Sequence, residues 1–128
     1  MAVPSAAPSA AAVRVWHYPG CSTCRKALAH LRAQGVAHEA IDIVLTPPDR
    51  ATLRDAWQRS GLPLRKFFNT SGQSYRQGGF GERLATMSDD AQLDALVADG
   101  KLIKRPLVLA GDRVLVGFAP EVWADAGL

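Results

Sequence analysis

Val13-Arg14-Val15-Trp16-His17-Tyr18-Pro19-Gly20-Cys21-Ser22-Thr23-Cys24-Arg25-Lys26-Ala27 passes from one backbone periodicity to another within fifteen positions. Val13 to His17 alternates along its length and carries β-branched residues, the pattern of a short strand. Tyr18-Pro19-Gly20 interrupts it. From Cys21 to Gln34 the period becomes helical. Cys21, Cys24, Leu28 and Leu31 share one face with Ala27 beside them, while Arg25, Arg32 and Gln34 lie off it. Gly35 follows as a helix stop. Within residues 37–44, Ile41 and Ile43 alternate with Asp42, which predicts a second strand. Strand, helix and strand in so short a span form a βαβ unit, whose crossover is right-handed and whose strands are parallel.

Downstream, Thr46-Pro47-Pro48-Asp49 reads as a helix entry, with Thr46 as the cap and proline tolerated in the first turn. Leu53, Ala56 and Trp57 form the apolar stripe that ends at Gly61. Pro63 to Phe68 predicts another short helix, and Asn69-Thr70-Ser71-Gly72 a turn. Ser88 opens a helix with Asp89 and Asp90 in its first turn, where carboxylates oppose the positive end of the dipole. Its core face is Leu93, Leu96 and Val97, and Gly100 closes it. Leu107 to Ala110 and Val114 to Val116 read as a hairpin turning at Gly111-Asp112, and Pro120 opens a last helix through Trp123 and Ala126. A βαβ half and a ββα half sharing one four-stranded mixed sheet is a thioredoxin-like α/β arrangement. Residues 46–100 supply a helical insertion between the halves.

The whole chain has 128 residues, the size of one domain. Residues 1–12 are almost entirely Ala, Pro and Ser and lack the basic start of a secretory signal. They read as a disordered tail, leaving residues 13–128 as the single folding unit. Hydrophobic content of 48% and charged content of 21% exclude a disordered chain. No apolar run approaches a membrane span. The net charge of +3 does not indicate nucleic-acid binding.

Only two cysteines are present, both in Cys21-Ser22-Thr23-Cys24. The loop they would close is too short to staple a fold, so a secreted disulfide scaffold is excluded and the reducing cytosol is the expected compartment. Cys21 sits where the first strand turns into the helix. Free backbone N–H groups and the helix dipole stabilise a thiolate there. Cys24, one turn on, comes back into disulfide reach, and Arg25 and Lys26 add positive potential. The pair therefore reads as an accessible attacking thiol, Cys21, and a more buried resolving thiol, Cys24. Two other readings stand beside it. Half of a zinc site would need His17, His30 or His38 as further ligands, with no second CxxC available; inert thiols would need nothing.

The run Cys21 to Ala27, together with Lys104-Arg105-Pro106-Leu107-Val108, resembles the arsenate reductase (ArsC) and Spx family from about Val13 to Gly127. The resemblance implies a thioredoxin-like fold with a helical insertion, and Pro106 as a cis-proline facing the active-site cysteine. A proline that merely opens a strand is the alternative. Glutaredoxin-dependent arsenate reductases of that family are similar at His17, Pro19, Cys21, Thr23 and Arg25. This implies that His17 helps lower the pKa of Cys21. Those enzymes bind the oxyanion with three arginines; Arg105 matches one, Asn69 and Phe118 stand at the other two, and Arg65 and Arg76 are substitutes. They usually carry a non-cysteine residue where this chain has Cys24. Spx-type regulators are similar in the CxxC, in Arg25-Lys26-Ala27 and in the Arg105-Pro106 strand. That likeness implies binding to the C-terminal domain of the RNA polymerase α subunit, with the disulfide as switch. Phe67 and Phe68 are then either a partner surface or core.

The expectation is a cytosolic thiol–disulfide redox protein of this family. Cys21, Cys24 and Arg105 carry its chemistry, and His17, Thr23, Arg25 and Pro106 contact the substrate. No metal is expected, and no cofactor beyond glutathione as a reductant. Expected partners are glutathione, glutaredoxin or thioredoxin, or the polymerase α subunit, approached by a monomer without direct nucleic-acid binding or membrane attachment.

Overall fold

Backbone hydrogen bonds in the computed structural model, which describes residues 13–128, join four strands in the order β2-β1-β3-β4. The expected tail, residues 1–12, lies outside the described residues. β1 (Val13–His17) is central and runs parallel to β2 (Glu39–Asp42), with α1 (Ser22–Ala33) as the crossover between them. β3 (Leu107–Ala110) pairs antiparallel with β1 on its other side, and β4 (Arg113–Val116) closes the hairpin. The turn between β3 and β4 is made at Gly111, whose φ of +60° suits glycine. This is the mixed α/β sheet of a thioredoxin-like fold.

Strand alternation divides the core between the two faces. Val15 and Val108 point toward α1 and toward α6 (Pro120–Asp125), packing with Ala27, Leu31 and Trp123. Their neighbours Trp16 and Leu107 point the other way, into the larger cluster formed with the insertion. That insertion comprises α2 (Arg50–Ser60), a 3₁₀ turn at Leu64–Phe67, α3 (Gln73–Gln77), α4 (Phe80–Arg83) and α5 (Asp89–Ala98). Phe67 and Phe68 are fully buried in this cluster, so they are core and not a partner surface.

Three local readings change. The helix entry is capped by Asp49, whose carboxylate accepts the Thr52 N–H at 2.8 Å. Thr46 does not cap it; its carbonyl accepts the Trp16 indole N–H at 3.2 Å. The second strand stops at Asp42, because the Asp42 carboxylate accepts from the Val44 and Leu45 N–H groups and bends the chain into a turn. Gly100 opens a 3₁₀ turn, Gly100–Leu102, after Asp99 has ended α5. It lies so close to the Ile43 carbonyl that any Cβ would strike backbone.

Two stability changes follow. Gly100→Ala forces α5 away from β2 and costs about 1–3 kcal/mol; Trp123→Ala empties the face covered by α1 and α6 and costs about 3–5 kcal/mol. Urea unfolding of each variant measures both.

Candidate functional site

Cys21 is the N-cap residue of α1, with an extended backbone (φ −94°, ψ 119°). Its own N–H donates to the Tyr18 carbonyl at 2.9 Å, closing a tight turn out of β1. The Tyr18 N–H donates to Cys24 Sγ at 3.5 Å. Both sulfurs are thus placed by the backbone of one residue. Cys21 is partly exposed and Cys24 is buried, and both are free thiols.

Arg105 reaches this turn from the far half of the chain. Its peptide bond to Pro106 is cis. The guanidinium sits 4.8 Å above the centre of the Tyr18 ring and donates to the Lys101 carbonyl at 3.1 Å. Burial pushes the Cys21 thiol up, but this is outweighed by the Cys24 backbone N–H, the Cys24 thiol and the charge and N–H groups of Arg105. The net direction is down. Cys24 moves the opposite way, to about 11, because burial disfavours its thiolate and the Cys21 sulfur bonds and repels it, which together outweigh the Tyr18 N–H and the charge of Arg105. The thiolate is favoured on one sulfur and the proton on its neighbour.

A cavity of about 510 Å³ opens beside Cys21. Thr23 and Asn69 line it together with Ser71, Lys104, Arg105 and Phe118, and no carboxylate does. Three chain segments meet here because the insertion is tied down beside Arg105. The Asn69 N–H donates to the Leu102 carbonyl at 2.7 Å and the Lys104 N–H to the Phe67 carbonyl at 2.8 Å, around a bridge between Phe68 and Ile103. A larger cavity of about 830 Å³, walled by Trp57, Leu62, Tyr75 and Met87, lies in the insertion and contains neither cysteine.

The structure brings Cys21, Thr23 and Arg105 to one cavity, and both aligned substitutes, Asn69 and Phe118, with them. Arg65 and Arg76 are not among its walls; Arg76 donates to the Ser71 carbonyl at 2.8 Å. His17 ends β1, where its carbonyl accepts the Ile43 N–H at 2.8 Å, and it is absent from the groups that shift Cys21. Arg25 also stays outside the cavity and donates to the Pro19 carbonyl at 3.2 Å. Pro106 is buried behind Arg105, its carbonyl accepting from Gly117 at 2.9 Å. Tyr18 and Lys104 were not singled out by sequence reasoning. Lys104 stands in the quoted Lys104-Arg105-Pro106 run, which was the available signal; Tyr18 had none beyond its place ahead of Cys21. Among the described residues, no three His, Cys, Asp or Glu side chains gather where they could hold a metal ion.

A helix N-terminus carrying an activated thiol, faced by an arginine on a cis-proline strand, defines a thiol redox protein of thioredoxin-like fold. Residues 16–126 match the ArsC family, and the chain belongs to that family. It is 48% identical over 108 residues to the protein YusI of Bacillus subtilis, covering 84% of this chain and 92% of that one. An arsenate reductase of Neisseria meningitidis is 32% identical over 106 residues, covering 82% and 89% of the two chains. Among solved structures, an ArsC family related protein from Bacteroides fragilis superposes with a TM-score of 0.86 at 41% identity, over 88% of this chain and 95% of that one. An arsenate reductase from Vibrio cholerae superposes at 0.79 with 32% identity, over 88% and 95%.

Iodoacetamide titration across pH separates the two thiols. Cys21 reacts at lower pH than an ordinary thiol because its pKa is lowered, while Cys24 reacts only as pH approaches about 11. Arg105→Ala moves the Cys21 profile to higher pH, and Arg105→Lys moves it less; equal reactivity of the two thiols in the wild type would sink the assignment.

Proposed function

We infer that the protein is a cytosolic dithiol oxidoreductase in which Cys21 attacks and Cys24 resolves. The opposite displacement of the two thiol pKa values within one turn is the observation that carries this reading. The Cys21 thiolate attacks one sulfur of a substrate disulfide, forming a mixed disulfide as the other sulfur leaves with the bonding electrons. Cys21 is then neutral, so the repulsion that helped hold the proton on Cys24 is gone. Cys24 gives up that proton and attacks the Cys21 sulfur. A Cys21–Cys24 disulfide forms, and the substrate's second sulfur departs as a thiol. The substrate gains two electrons and the cysteine pair loses two. Glutathione, glutaredoxin or thioredoxin would return the pair to the dithiol.

Arsenate reduction is the second reading, supported by the names of the Neisseria and Vibrio relatives and by the Arg105 guanidinium beside Cys21. Asn69 and Phe118 on the same walls weaken it, because neither supplies the charge that guanidinium recognition of an oxyanion uses.

Mass spectrometry after treatment with 2-hydroxyethyl disulfide tests the first reading. The wild type ends as an intramolecular disulfide, Cys24→Ser accumulates the mixed disulfide, and Cys21→Ser forms neither. A stable wild-type mixed disulfide would overturn the resolving role of Cys24. Arsenate-dependent turnover with glutathione and glutaredoxin supplied would favour the second reading.

A further inference from the structure

The cavity beside Cys21 does not end at Lys104. Lys104 and Val116 also line a second cavity of about 270 Å³, whose other walls include Leu62, Arg65, Lys66 and Thr70. The cations along this path are therefore Arg105, Lys104, Lys66 and Arg65, and no carboxylate lines either cavity. Lys104, Lys66 and Arg65 are exposed. Among the described residues, the ion pairs engage Arg50, Arg54 and Arg59 with Asp90, Asp94, Asp55 and Asp112, and none of the cations on this path. A net charge of only +3 is thus distributed unevenly: carboxylates neutralise the α2–α5 side and leave the path out of the thiol cavity basic. The path is not purely polar, since Leu62 is 40% exposed at its far end and Val116 lies at its middle.

We propose that this Arg105–Lys104–Lys66–Arg65 path is a docking groove for an acidic, extended polypeptide segment of a protein substrate, which presents its cysteine sulfur to Cys21. A single inorganic anion would engage only the end next to Arg105, whereas Lys66 and Arg65 line the second cavity beyond Lys104. Nucleic acid brings no sulfur to Cys21, and the only ring lining the outer cavity, Phe68, is buried and closed to base stacking. A partner of opposite charge is also steered to the thiol, with a rate that falls as salt rises. The inference rests on the thiol–disulfide reading above and names the kind of substrate that reading would serve.

The test uses the full chain and cysteine peptides activated as mixed disulfides with 2-thiopyridine. The Cys21–peptide sulfur bond forms as the peptide–thiopyridine bond breaks, and the released thione is followed optically. One peptide is flanked by Asp and Glu, a second by Lys and Arg; 2-hydroxyethyl disulfide and a small dicarboxylate disulfide serve as controls. The acidic peptide reacts about tenfold or more faster than the basic one at low ionic strength, and the ratio collapses in high salt. The double variant Arg65→Gln/Lys66→Gln loses most of that ratio while 2-hydroxyethyl disulfide reacts at the wild-type rate. Equal rates for the two peptides would overturn the groove. So would a double variant that slows the small dicarboxylate as much as the acidic peptide, or stronger competition by a single-stranded oligonucleotide than by an unreactive acidic peptide. Wild-type protein inert to 2-hydroxyethyl disulfide would remove the thiol reading and the groove together. Lost charge preference with that exchange intact removes the groove alone.

Discussion

Both cysteines are tied to the backbone of Tyr18: its carbonyl receives the Cys21 N–H and its N–H donates to the Cys24 sulfur. That turn must be tight, because β1 has to stop, reverse and launch α1 with Cys21 at the cap, where helical N–H groups are still unspent. Every later property of the site depends on it. A sulfur one residue earlier would leave the helix terminus, and one residue later it would enter the helix wall. The partly exposed position opens to the cavity, and burial keeps the proton on the other.

The second constraint is non-local. Arg105 becomes a neighbour of Cys21 only because β3 pairs with β1, placing Leu107 opposite Trp16 and the preceding cis Arg105-Pro106 bond at the strand's mouth. The insertion adds its wall through the short bridge between Phe68 and Ile103. Asn69 and Ser71 therefore reach the cavity from a segment far from both cysteines in sequence. The large cluster beneath, with Phe67, Phe68, Leu93 and Ile103, anchors that wall. Packing of the insertion and the shape of the reactive cavity are one problem.

Much of this was legible from periodicity. Val13 to His17, the Cys21 helix with its Gly35 stop, the hairpin at Gly111 and the Pro120 helix are each specified by local chemistry, and each formed where that chemistry placed it. The short helices at Gln73–Gln77 and Phe80–Arg83 were not, because they pack the Tyr75 and Phe80 rings against Phe68, a contact which no local pattern records. The helix entry at Asp49 was misread because two prolines separate two side chains that can both cap. At the site, Cys21 and Cys24 were readable from motif and spacing, and Arg105 from the family resemblance of the Arg105-Pro106 run. Lys104, Ser71 and the ring of Tyr18 were not, since their proximity to the thiol is created by strand pairing and by the bridge. His17, read as a helper of Cys21, ends β1 in the parallel register opposite Asp42.

Arg105 lies on the face of the Tyr18 ring and is tethered to the Lys101 carbonyl. Neither attachment involves a sulfur, so both are made by the fold and not by the thiol. They hold the guanidinium beside Cys21 in addition to its hydrogen bond to that sulfur. The positive charge at the cavity is therefore in place before any ligand arrives, as a property of the folded backbone.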